Sequence, residues 1–156
     1  MGPGDKATDS DINRAYRLGQ LIADNGWVLL TGGRNVGVMD AASRGAKMVG
    51  GLTIGILPTN DTRAMSDAVD IAIVTDMGNA RNTINVLSSD VVIACGIGIG
   101  TASEIALALK TGKKVVLLSD HPESQEFFCS LSQENVFLAT SPDVAIDLVK
   151  TILSDT

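Results

Sequence analysis

What most constrains this chain is an alternation. Short, almost wholly apolar runs rich in β-branched residues recur at 27–30, 52–57, 71–74, 91–95, 115–118 and 136–138, with helical patterns between them. Such runs lack the polar alternation of a sheet that is wet on one face. They suit parallel strands buried on both faces, because right-handed crossovers lay helices over each side of the sheet. The expected fold is α/β: a doubly wound, mostly parallel sheet of the Rossmann-like kind with helices on both faces. At 156 residues the chain is long enough for one such core, so a single domain over 1–156 is expected. The composition is 45% hydrophobic, only 3% aromatic, and includes 16 glycines, which leaves aliphatic side chains to fill that core.

Helix signals fill the intervals. Thr8, Asp9 or Ser10 can cap a helix whose apolar face is Ile12, Tyr16, Gly19, Ile22 and Ala23, with Gly26 as its stop. Ser141 followed by Pro142 opens the last helix, with Val144, Leu148, Val149 and Ile152 as its buried stripe. A helix near 38–49 presents Ala41, Ala42, Gly45 and Ala46, small enough to pack closely on the sheet or on a second subunit. Residues 58–67 read as a polar, mobile loop bordering a site.

The formal net charge of -6 and the absence of a Lys/Arg cluster argue against a nucleic-acid partner, since phosphate binding draws its affinity from grouped cations. No apolar stretch approaches the roughly 20 residues of a membrane span, and no basic-then-apolar leader is seen. No membrane partner and a cytoplasmic location are therefore expected. Cys95 and Cys129 lack metal-ligand spacing and read as reduced thiols, and His121 is the single histidine. No metal site is expected.

Chemistry concentrates in two glycine-rich turns. Thr31-Gly32-Gly33-Arg34-Asn35-Val36-Gly37 follows one strand and precedes the small-residue helix. Strand, glycines and helix in that order make an anion site: backbone N–H groups face the ligand, the helix start is positive, and Arg34 adds a cation. Tight strand-to-helix turns also need glycine for purely structural reasons. The second turn, Gly96-Ile97-Gly98-Ile99-Gly100-Thr101, sits in the same context, and Thr101 with Glu104 spells a capping box. In open parallel sheets both turns can line one crevice at the carboxyl ends of the strands. Asn79-Ala80-Arg81-Asn82 lies between them and starts a helix expected to turn Ile84, Val86 and Leu87 inward. A dinucleotide reading, with Asp120 as ribose ligand, fits poorly: the pattern is GxGxGT, not GxGxxG, and it falls late in the chain.

The segments TGGRNVGVMDAASRGAKMVGGLTIGILP and RNTINVLSSDVVIACGIGIGTASEIALALKTGKKVVLL resemble the superfamily once labelled lysine-decarboxylase-like, over nearly the whole chain. One branch comprises the Lonely Guy (LOG) phosphoribohydrolases, with a PGGxGTxxE motif and an upstream arginine-lysine pair. In that branch the catalytic arginine and glutamate fall on Arg81 and Glu104. The lysine becomes Asn82, the motif Pro-Gly becomes Gly96-Ile97, and the acidic residue before the glutamate becomes Ser103. These departures speak against hydrolysis, which stays the alternative together with a regulatory nucleotide-binding role. The other branch, the molybdenum cofactor carrier proteins, is more similar, in LLTGGRNVGVMDAA and GTASEIALALKTGKKVVLL. The resemblance implies a carrier that binds the molybdenum cofactor as cargo without converting it and has no catalytic residue. Its expected ligand contacts are Gly32, Gly33, Arg34, Asn35, Arg81, Asn82, Gly98, Gly100, Thr101 and Ser103. It also implies a small phosphorylated ligand, an apo-molybdoenzyme as recipient, and a homo-oligomer, dimer or tetramer. Relatives begin with an apolar strand that leads into a loop like Met1-Gly2-Pro3-Gly4-Asp5. That strand is missing upstream of Met1, which is expected to leave ladder groups unpaired near the sheet centre.

Overall fold

The computed structural model describes residues 1–155. Six strands and six α-helices alternate except between β2 and β3, which no helix separates: α1 (Asp9–Asp24), β1 (Leu29–Thr31), α2 (Gly37–Met48), β2 (Thr53–Leu57), β3 (Ile71–Val74), a 3-10 turn (Gly78–Arg81), α3 (Asn82–Leu87), β4 (Val91–Cys95), α4 (Ile99–Lys110), β5 (Lys114–Leu118), α5 (Pro122–Leu131), β6 (Val136–Ala139) and α6 (Pro142–Ser154). All strand pairings are parallel, as the apolar runs require.

The strands form two three-stranded sheets, ordered β1-β2-β3 and β4-β5-β6, and the facing edges of β1 and β4 do not pair. Both strands border one cavity of about 880 Å³, together with Ala15, Leu18 and Val149 from the covering helices. Met1 reaches into this space. Its amino group donates to Ile93 O at 2.7 Å, and its carbonyl accepts from Cys95 N–H at 2.9 Å. These are the two bonds that one residue of a parallel strand makes around Ala94.

Two apolar layers cover the faces of β4 and β5, and the first of them also joins the two halves. One gathers Ala15, Leu18, Val38, Ala42, Cys95, Val116, Leu118 and Ile146; the other gathers Val86, Val92, Ala94, Ile105, Val115, Leu117 and Phe128 on the opposite face of β4 and β5. Helix α1 is capped by Thr8 in a capping box with Asp11, and α6 by Ser141 ahead of Pro142.

Several expectations are corrected. The small residues of α2 pack chiefly against α1: a Cβ on Gly45 would run into the Tyr16 backbone, and one on Gly19 into that of Ala42. Strand β3 is exposed along its whole length, with Ile71 at 46% and Ile73 at 44%, because it is a sheet edge no helix covers. The buried residues of α6 are Ala145, Ile146, Val149 and Ile152, while Val144 faces out. Asp120, already a poor fit as a ribose ligand, pairs with Arg14 at 2.8 Å, which holds its carboxyl below the usual range.

The β2–β3 junction carries an acid-sensitive clamp. The Asp70 carboxylate pairs with Lys47 and accepts from Thr53 N–H at 3.0 Å, while Asp70 N–H donates to Thr53 Oγ1 at 2.9 Å. The Lys47 hydrogen bond, chiefly, holds the Asp70 carboxyl below its ordinary value. A depressed native pKa contributes stability that is full above the unfolded-chain value of about 3.9 and vanishes as pH falls through the native value. Asp70→Asn is therefore expected to melt lower than the parent at pH 7, with the gap closing as melts are run toward pH 3. A gap that does not change with pH would contradict the clamp.

Candidate functional site

The strand ends that carry the two glycine turns open onto the same cavity. Gly32 and Arg34 from the first turn line it, as do Gly98, Gly100 and Thr101 from the second, with Arg81, Asn82, Asn85 and Glu104 between them. The same cavity runs on into the slot between β1 and β4, so only its end at the two turns is the candidate site.

The first turn owes its shape to glycine. Gly33 takes a φ of 72°, and a Cβ on Gly32 would sit 2.5 Å from Arg81 Nη2. The missing side chain at Gly32 is what lets the Arg81 guanidinium lie against the turn. Gly33 itself does not reach the cavity: its N–H donates to Thr31 Oγ1 at 3.1 Å, and its carbonyl accepts from Ser66 N–H at 2.9 Å. Asn35 is exposed, and its N–H donates to Ala64 O at 2.8 Å. The loop at 58–67 is thus not a free border to the site. It is pinned to the back of the turn through these bonds, the Arg34–Met65 bridge, and Ser66 Oγ on Asp40 at 2.6 Å.

The second turn behaves differently. Helix α4 begins at Ile99 with Gly98 as N-cap and no side-chain cap bond. The expected capping box does not form, because Thr101 and Glu104 lie too far into the helix to close it. The first-turn amides are therefore left without a side-chain cap, which is the condition for anion binding at a helix start. Thr101 is 2% exposed and its Oγ1 has no partner. Ser103 is exposed and its hydroxyl donates back to Gly100 O at 2.8 Å, so it stands outside the cavity.

Between the turns is a buried ionic cluster. Arg81 is 8% exposed and Glu104 6%, with Nη1 and Oε1 3.7 Å apart. Asn82 accepts from Arg81 Nη1 at 2.5 Å, and Asn85 Nδ2 donates to Glu104 Oε1 at 3.3 Å. Burial lowers the Arg81 pKa; Glu104 opposes that, and the nearby charge of Arg34 adds to it. An incoming anion would ease the repulsion between these two cations.

Sequence reasoning missed two contributors. Asn85 lines the cavity from within an otherwise apolar pattern, and the inward residues of α3 are Asn82, Asn85 and Val86, while Leu87 is exposed. The segment 1–6 also lines it, with Pro3 O accepting from Val38 N–H at 3.0 Å at the start of α2. The glycines flanking Pro3 were the available signal.

Among the described residues no group of three or more His, Cys, Asp or Glu side chains is placed to hold a metal ion, and no helix is long and apolar enough to cross a membrane. Both cysteines are free; burial pushes the Cys95 thiol up to about 11.

Fold and site together define a doubly wound α/β protein with an anion-ready crevice at the carboxyl ends of its strands. The chain belongs to the SLOG cluster4 family, whose model matches residues 1–146. It is similar to the molybdenum cofactor binding protein of Rippkaea orientalis, at 66% identity over 98% of this chain and 94% of that one, TM-score 0.97. It is also similar to the molybdenum cofactor carrier protein of Chlamydomonas reinhardtii, at 50% identity over 100% of this chain and 96% of that one, TM-score 0.94. A cytokinin riboside 5'-monophosphate phosphoribohydrolase of Mycobacterium tuberculosis is 37% identical over 60% of this chain, and the match spans 51% of that enzyme. The resemblance read from the two glycine-rich segments thus extends through the fold.

Proposed function

We propose that this chain binds the molybdenum cofactor as cargo, shields it, and passes it to an apo-molybdoenzyme in the cytoplasm. The observation that carries this reading is the convergence of both glycine turns on one cavity holding Arg34 and Arg81. The cofactor's phosphate monoester meets what that crevice offers: uncapped helix-start amides, the Thr101 hydroxyl and the Arg34 guanidinium. Its likeness to two proteins named for the same cofactor supports the assignment. Gly32, Arg34, Arg81, Asn82, Gly98, Gly100 and Thr101 are the proposed contacts. Gly33, Asn35 and Ser103 shape the turns through their own bonds. The exposed apolar edge at Ile71, Ile73 and Val74 supports a homo-oligomer, checked by light scattering.

The hydrolase reading rests on Arg81 and Glu104, retained where the phosphoribohydrolases carry their functional pair. Against it, Asn82 and Ser103 stand where that family carries the lysine and the acidic residue that accompany the pair.

Anaerobic titration with molybdenum cofactor is the test. The parent is expected to bind it and to slow its oxidation. Arg81→Met is expected to weaken binding by about tenfold to a hundredfold, the usual worth of hydrogen bonds to a charged group. No release of adenine from AMP is expected. Cofactor that oxidises as fast with the protein as without it would end the carrier reading.

A further inference from the structure

Three buried polar atoms in the crevice have no hydrogen-bond partner among the described residues: Arg81 Nε, Asn85 Oδ1 and Thr101 Oγ1. Their residues are 8%, 5% and 2% exposed, and all three line the cavity. Native interiors rarely leave such groups unmet, so three together on the lining of one cavity point to a ligand.

Their chemistry is not uniform. The Glu104 carboxylate only accepts, so it fixes the Asn85 amide with its NH₂ toward Glu104 and its carbonyl oxygen left over. Asn85 Oδ1 and Glu104 thus form an acceptor-rich floor. An ionised phosphate brought there would meet lone pairs, whereas an N–H would meet partners. The donors lie elsewhere: the helix-start amides of α4, Thr101 and Arg34, with Arg81 Nε as one further donor beside the floor.

We propose that Asn85 and Glu104 read the donor edge of a ligand heterocycle, an amino group beside a ring N–H, with Arg81 Nε taking the adjacent ring oxo group. The anion of the same ligand then lies toward the amides of α4. The inference rests on the cargo reading above and adds to it a ligand orientation and a specificity rule. A 2-amino-oxo ring, as in pterin or guanine, presents one acceptor and two donors, the complement in kind of what the floor offers. Adenine, with an amino group beside a bare ring nitrogen, places a lone pair against an acceptor.

The test is equilibrium calorimetry with two ligand pairs, each differing only by the 2-amino group: a phosphorylated pterin alcohol against its 2-deamino analogue, and GMP against IMP. The parent is expected to prefer the amino member of each bound pair by about tenfold or more, because a site built to meet a donor is left unpaired without it. Asn85→Leu and Glu104→Gln are each expected to erase the preference, with inorganic phosphate still competing for the site; thermal melts verify that both variants fold. Pterin binding with no preference for the amino member would overturn the edge inference and leave the cargo reading standing. A GMP preference that depends on Asn85 and Glu104, with no pterin bound, would uphold the edge inference and end the cargo reading. Preference surviving in both variants, or binding of neither pair, would overturn the inference.

Discussion

Gly45→Ala is expected to lower stability by about 2–3 kcal/mol, the reverse of the gain of about 1 kcal/mol that the same change brings in an open helix. The sign turns on the α1–α2 crossing. Gly45 of α2 faces the Tyr16 backbone, and Gly19 of α1 faces the Ala42 backbone, so each helix supplies the other's missing side chain. A Cβ at either position meets main-chain atoms, which cannot rotate away, and the helices must separate. Separation opens the layer that holds Ala15, Leu18, Ala42 and Ala46, all under a tenth exposed. At roughly 2–4 °C per kcal/mol for a domain of this size, the melting point should fall by about 5–10 °C. Gly100→Ala is the control, because a Cβ there meets nothing within 4 Å. Equal effects at the two positions would show that the crossing is looser than these contacts require.

That crossing also marks where sequence reasoning stopped. Small residues at helical spacing announce a close approach but not its partner, and α2 found α1 in place of the sheet or another subunit. Strands β3 and β4 lie where the apolar runs put them, since β-branched runs bounded by polar turns have little other use. The exposure of β3 was not legible: a fully apolar run looks the same at a covered centre and at a bare edge. The crevice was legible in outline through its glycines, because close backbone approach and positive φ demand that residue. Its interior was not. Asn85 carries no mark of burial beside Ile84, Val86 and Leu87, the residues expected inward, yet in α3 it is buried with Asn82 and Val86. The Thr101–Glu104 spacing fits a cap just as well, and only the helix start at Ile99 releases both side chains to the cavity.

The second large effect is expected where the sheet divides. Adding about six β-branched residues ahead of Met1 should raise the melting point by roughly 10 °C, through a new strand seated between β1 and β4. The facing edges of those strands carry ladder groups that pair with no strand, and apolar residues from β1, β4, α1 and α6 surround the space between them. Met1 already makes the two bonds of a parallel strand around Ala94, so residues added before it would run on past Ile93 toward Val91 in register. Each added residue costs about 1–2 kcal/mol of backbone entropy, and each buried branched side chain returns about 1.5–3 kcal/mol. The strand gains further from bonding on both edges, so the sum is stabilising by a few kcal/mol. The same run written with alternating Gly and Ser should give little, since it cannot fill the space. Unchanged melting with the β-branched extension would mean that the two half-sheets are complete as they stand, each stabilised from its own side.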